Sequence, residues 1–149
     1  MPNQHRALLS VLFFCCTFAQ GQTIVFQLQT HLDGPIALVS YSPDTFRIES
    51  DRRQFLTVRN ESDRVMAAVV FQQAFSSGSR TEIVTLERVS IMIRPREKKR
   101  LSVSVGDVWN RMQTAVKTGE TIGKPMLSVV VVEFIDGSVW NAPVDRPQK

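Results

Sequence analysis

The residues of this chain best suited to bind a ligand are five cations in one short segment. Arg94, Arg96, Lys98, Lys99 and Arg100 lie within seven consecutive residues. Guanidinium and ammonium groups spaced this closely can clamp phosphate, sulfate or carboxylate groups. The alternative is a solvated connection whose charge keeps strand ends from pairing with other chains. The sequence predicts a connection between two strands here and leaves both interpretations open.

Residue types that carry out catalysis are scarce after residue 21. His31 is the only histidine in that part of the chain, no cysteine remains there, and no G-x-S-x-G motif occurs. A Ser-His-Asp triad would have to use His31, and we expect instead a histidine in a solvated loop. A metal site needs three or four ligands, and no D-x-D or H-x-x-x-H spacing supplies them. We therefore expect no metal and no cofactor.

Glu133 is the one acidic residue set in an apolar strand pattern. Together with a second carboxylate it could hydrolyse a polysaccharide of the cell envelope. We expect it rather on a solvent-facing sheet surface, opposite Trp140. The main expectation is thus a protein that is not an enzyme, with a hydrolase as an alternative.

Trp140 is the aromatic binding candidate. With Val129 and Val131 it is predicted to form an apolar strip on the outer face of the last hairpin, where a partner or a carbohydrate could bind. A helix predicted at 107–117 could instead cover that strip with its own apolar side chains. The sequence favours the covered arrangement.

The elements that would position these residues are mostly strands. Alternating or short continuous apolar segments predict seven or eight strands, and only Asp107–Lys117 has a helical pattern, with Asp107 as cap and Gly119 at its end. There is no βαβ alternation. The expected fold is all-β: an immunoglobulin-like antiparallel β-sandwich with one short helix, or alternatively a small β-barrel.

The last hairpin has the clearest turn signal. Asp136-Gly137 between β-rich segments predicts a two-residue type I′ turn. That turn would place Glu133 opposite Trp140 and Phe134 opposite Val139. Trp140 would then lie on the face away from Val132 and the core.

The first 21 residues resemble a secretory signal peptide in the order of their basic, apolar and small residues. Arg6 precedes an apolar run of about twelve residues, which ends in Ala19-Gln20-Gly21. The run is shorter than the roughly 20 residues of a membrane-spanning helix. We expect cleavage before Gln22, a domain at 22–142 without a membrane span, and a flexible tail at 143–149. An exported domain without cysteine favours a bacterial periplasmic or extracellular location.

The charge of the expected domain limits its partners. Losing Arg6 lowers the formal net charge from +4 to +3. This net positive charge is smaller than that of nucleic-acid-binding domains, and no aromatic residues interleave with the basic segment. We expect as partner an anionic polymer of the envelope or another envelope protein.

Two motifs resemble bacterial exported immunoglobulin-like modules. Residues 58–62 read V-R-N-E-S, and residues 93–98 read I-R-P-R-E-K before the alternation of Leu101, Val103 and Val105. In such modules a strand often ends in V-x-N-x-S and a later one in P-G-E, so Arg96 replaces the usual glycine. The resemblance spans about residues 54–105. It implies adhesion, assembly or spacing by a non-catalytic binding or structural module. An assembly factor that lends a strand edge is a further alternative.

Overall fold

The computed structural model describes the backbone of residues 25–48 and 51–143, and their side chains except those of 42–48 and 51. The predicted signal peptide and residues 144–149 of the predicted tail lie outside the described residues. The elements are β1 (Gln27–Gln29), β2 (Ile36–Ile48), β3 (Asp51–Asn60), β4 (Met66–Ser77), β5 (Arg80–Ile93), β6 (Lys98–Ser104), α1 (Gly106–Lys117), β7 (Met126–Phe134) and β8 (Val139–Asn141). For the described residues, the prediction of a mainly β structure with one short helix is confirmed.

The strands form two sheets. The first sheet has the order β1-β7-β4-β5, with β8 also paired to β7, and the second has the order β2-β3-β6. All pairs are antiparallel except β1 with β7. Within the described residues the two sheets stay separate and neither closes on itself, so the alternative of a small barrel is wrong.

One core lies between the two sheets. Strand alternation turns Leu56, Val58 and Val103 of the second sheet toward it, and Val69, Phe71 and Val132 of the first. The first half of β4 is almost wholly apolar, which suits its position in the sheet between β5 and β7.

Polar contacts close the side where β5 and β6 approach each other. The Glu87 carboxylate on β5 accepts hydrogen bonds from Arg53 Nη2 at 3.0 Å and from the Ser104 backbone N–H at 2.7 Å. Lys99 Nζ on β6 donates to the Met92 carbonyl on β5 at 2.9 Å. These contacts join the sheets and occupy edge groups that could otherwise pair with another strand.

Helix α1 begins at Gly106, one residue before its predicted start. Its N-cap residue is Val105, whose side chain makes no capping bond, so the prediction of Asp107 as cap is wrong. Asp107 lies in the first turn, where its negative charge faces the positive end of the helix dipole. Gly119 does close the helix: its φ is +79° and its N–H donates to Val116 O at 3.1 Å.

The helix packs on β3 and β5 rather than over the last hairpin. Arg52 on β3 lies 4.1 Å from the centre of the Trp109 ring, and Arg111 binds Glu82 on β5 through two hydrogen bonds of 2.7 and 2.9 Å. These long-range contacts fix the helix beside β5. The expectation that it covers a strip around Trp140 is therefore wrong.

The register of the last hairpin differs from the prediction by one residue. Glu133 lies opposite Val139, and Val132 lies opposite Trp140. The loop has three residues, Ile135 to Gly137: Gly137 N–H donates to Phe134 O at 3.0 Å, and Gly137 has φ +84°. This is the type I turn followed by a left-handed glycine, not the predicted type I′ turn. A slip of one residue reverses the faces, so Trp140 points to the core side.

Candidate functional site

The structure separates the five predicted binding cations into a turn and a strand. Arg94 and Arg96 belong to a four-residue turn in which Glu97 N–H donates to Arg94 O at 3.1 Å. Pro95 holds its second position and Arg96, with φ +64°, its third. These are the features of a type II turn, which favours glycine at the third position. Arg96 thus adopts the left-handed conformation although it is not glycine.

The other three cations lie in β6, where successive side chains point to opposite faces. Lys98 and Arg100 are exposed on the outer face of the second sheet, away from the core. Lys99 points to the other side and reaches Met92 on β5. The five residues therefore do not form one clamp. The connection between β5 and β6 covers residues 94–97 only, and not the predicted 94–100.

Strand pairing brings a further arginine to the outer face of the second sheet. Arg59 on β3 lies directly opposite Lys98, and Thr57 lies opposite Arg100. We call Arg59, Arg96, Lys98 and Arg100 the basic face. Arg59 lies far from the basic segment in sequence, and only knowledge of the β3–β6 pairing could have connected the two.

The basic face carries more positive than negative charge. Glu61 accepts a hydrogen bond of 2.5 Å from Arg59 Nε and lies 3.4 Å from Arg96 Nη1. Within the described part of the chain, Lys98 and Arg100 form no ion pair; the Arg100 guanidinium lies 3.7 Å from the centre of the Phe55 ring. Like charges directly opposite each other destabilise a strand pair. An anion bound between Arg59 and Lys98 would relieve that repulsion.

Asn60 holds the turns at this end in place. It is fully buried, and its Nδ2 donates to Arg64 O at 2.7 Å and Ile93 O at 3.0 Å. Its Oδ1 accepts from Ser62 N and Oγ at 2.9 and 2.7 Å. Its backbone N–H and C=O bond to Glu97 and Arg96 of the type II turn. The asparagine of the V-R-N-E-S motif therefore positions Arg59, Glu61 and Arg96 through backbone and amide contacts.

Trp140, the sixth predicted binding residue, is half-buried and packs against the core. Its ring meets the His31 ring edge-on, with the ring centres 5.8 Å apart. The predicted outer strip of Trp140 with Val129 and Val131 does not form, because Trp140 and Val129 both face the core. Trp140 thus does not belong to the basic face.

Glu133 forms a bidentate ion pair with Arg88 on the outer face of the first sheet. The two hydrogen bonds measure 2.8 and 2.6 Å, and both side chains are partly exposed. The hydrogen bonds from Arg88 lower the pKa of Glu133 below its ordinary value. A general acid of a glycoside hydrolase needs a raised pKa. This geometry does not favour the hydrolase alternative.

β2 is an edge strand of the second sheet, and its pairing with β3 is interrupted twice. Its pairing with β3 is irregular between Leu38 and Ser40 and again between Ser42 and Thr45, where Pro43 lies. Bulges and proline on an edge strand hinder the addition of a further strand. The alternative of a strand-lending assembly factor gains no support here.

Among the described residues, no group of three or more His, Cys, Asp or Glu side chains is placed to hold a metal ion. In that same part of the chain, α1 is neither long nor apolar enough to span a bilayer. Comparison with protein-family models, curated proteins and solved structures finds no match.

Proposed function

We propose that this chain is an exported, non-catalytic binding module of the bacterial cell envelope, and that its basic face binds an anionic partner. The partner is an anionic envelope polymer or an acidic surface of another envelope protein. The observation that carries this proposal is the direct opposition of Arg59 and Lys98, with Arg100 on the same face. Such a surface gains stability when an anion binds.

We also propose that the fold is an immunoglobulin-like sandwich. The chain passes from the second sheet to the first after β3, returns after β5, and passes to the first sheet again after β6. Pairing of β3 with β6 and of β4 with β7 requires connections of the Greek-key kind. The turn around Asn60 is consistent with the motifs that resemble such modules.

Two charge-reversal variants test the binding proposal. Lys98→Glu/Arg100→Glu changes the basic face, whereas Lys117→Glu/Lys124→Glu changes two exposed lysines elsewhere by the same net charge. We expect the protein without residues 1–21 to bind immobilised polyphosphate or polygalacturonate, and more weakly as salt is added. The first variant should lower the affinity about tenfold or more, since charge-assisted hydrogen bonds are lost.

The control variant should keep an affinity close to that of the unchanged protein. Equal losses in both variants would mean that only net charge matters, and would overturn the assignment of the basic face. Export is tested separately, by the mass of the protein recovered outside the cytoplasm of a bacterial host. Cleavage before Gln22 is the expected result, and retention of residues 1–21 would contradict it.

A further inference from the structure

A groove lies on the outer face of the first sheet, where two short strands share one edge of β7. β1 pairs with β7 at residues 126–128, and β8 pairs with it at residues 131–133. Ala142 N–H donates to Val130 O at 2.8 Å, so the two segments come together beside the middle of β7. This meeting point, far from the basic face in the fold, leaves a depression of about 390 Å³.

A row of three polar residues crosses the floor of the groove. Gln29 on β1 lies opposite Ser128 on β7, and Ser128 lies opposite Gln72 on β4. The small serine between two longer amides produces the depression. His31 and the aliphatic residues Val130, Ala142 and Pro143 complete the lining.

The polar groups of the groove have hydrogen-bonding capacity to spare. Ser128 is only 6% exposed, yet within the described residues its hydroxyl forms no hydrogen bond. In the same part of the chain, the side chains of Gln72 and His31 form none either, and Gln29 Nε2 has only the Met126 sulfur at 3.1 Å. Ser128 is nearly buried, Gln72 and His31 are half-buried and Gln29 is exposed, so their polar groups border the open space of the groove. Their donors and acceptors are therefore available to a molecule that enters the groove.

The lining indicates the chemistry of that molecule. It contains no charged side chain, and amide, hydroxyl and imidazole groups supply both donors and acceptors. The aliphatic side offers contact to C–H groups. The volume falls within the range of about 300–1,000 Å³ for small-molecule sites. We propose that this groove binds a neutral, hydroxyl-rich ligand: one saccharide unit.

The proposal is independent of the basic face and is tested with sugars of known structure. The protein without residues 1–21 is titrated with glucose, galactose, mannose and N-acetylglucosamine, and backbone amide shifts are followed by NMR. We expect at least one sugar to bind with a Kd on the order of 1 mM, typical of few hydrogen bonds. The shifts should concentrate at Gln29, Ser128, Val130 and Ala142.

Variants at Ser128 locate the site. Ser128→Val fills the groove and should abolish the shifts, and Ser128→Ala should weaken binding about threefold to tenfold by loss of one hydrogen bond. Ser90→Val alters a serine on the same outer face and should leave binding unchanged. If Ser128→Val does not fold, Ser128→Ala decides the question. Absence of shifts with all four sugars, shifts elsewhere, or binding of a neutral tripeptide at the groove in their place would overturn the proposal.

Discussion

Arg53 on β3 donates a hydrogen bond of 3.0 Å to Glu87 on β5, and so joins the two sheets along their β5–β6 side. The pair is mostly shielded, with 23% and 20% of the side chains exposed. Arg53 also holds Ser102 on β6, through Oγ at 3.1 Å and the carbonyl at 3.0 Å. The bond belongs to a network that connects β3, β5 and β6.

Replacing Glu87 should weaken the fold measurably. Glu87→Ala removes the acceptor of both Arg53 and the Ser104 N–H, and we expect a loss of about 1–3 kcal/mol in the free energy of unfolding, measured by urea denaturation. Glu133→Ala also removes the acceptor of two hydrogen bonds, but both come from Arg88, within one sheet, and this pair is more exposed. Its loss should be smaller. A larger loss for Glu133→Ala would contradict the role assigned to Glu87.

Replacing Asn60 should be more severe. Asn60→Ala removes four side-chain hydrogen bonds at a fully buried site, and we expect a loss of about 3 kcal/mol or more. Asn60→Asp retains the acceptor for Ser62 but turns an oxygen toward two carbonyls, so it should not rescue stability. Thermal unfolding of both variants checks this, and a stable Asn60→Asp protein would refute the assigned hydrogen bonds.

The positive φ of Arg96 predicts that a glycine at this position is more stable than an alanine. Arg96→Gly and Arg96→Ala both lose the exposed contact with Glu61, but only glycine removes the cost of a positive φ. We expect the glycine variant to be more stable than the alanine variant by about 1 kcal/mol in urea denaturation. Equal stabilities would show that residue 96 does not hold φ +64° in solution.

The observed hairpin loop makes a prediction at Gly137. A Cβ built at this residue would meet nothing within 4 Å, so any cost of substitution comes from its φ of +84°. Gly137→Ala should destabilise by about 1–2 kcal/mol, and Gly137→Asn by less, because asparagine tolerates the left-handed region. Thermal unfolding of both variants measures the difference. Equal losses would point to a different turn.

Carboxyl titration tests the exposed ion pairs. Arg88 lowers the pKa of Glu133, whereas hydrogen bonds from Ser138 lower that of Asp136. A carboxyl whose pKa is lowered in the folded state stabilises the fold above its unfolded pKa, and this contribution is lost as the pH falls through the folded pKa. Arg88→Met should therefore raise the pKa of Glu133 alone, and Ser138→Ala that of Asp136 alone. NMR titration of both carboxyls gives the answer.

Local sequence predicted much of this fold because its signals act over few residues. The alternation in β6 and the glycine after α1 are such signals, as is the asparagine of V-R-N-E-S. The loop of the last hairpin could not be predicted, since Asp136-Gly137 suits two turn types. There, the Ile135 N–H is bound by Val65 O at 3.1 Å, a contact between distant residues.

The basic face, too, could be predicted from the sequence only in part. The sequence indicated Arg96, Lys98 and Arg100, but not Arg59, which only strand pairing places opposite Lys98. Similarly, no local pattern could show that α1 packs beside β5. The position of the helix depends on two contacts between residues distant in sequence, Arg52 with Trp109 and Arg111 with Glu82.

The directions of the two strands on the β7 edge have a mechanical consequence. β1 runs parallel to β7 and starts at its Met126 end, while β8 runs antiparallel and heads toward that same end. Within residues 25–143, the chain therefore runs into β1 from the Met126 end of β7 and runs back toward that end along β8. A pulling force applied at residues 25 and 143 would first load the few backbone hydrogen bonds that hold β1 and β8 to β7.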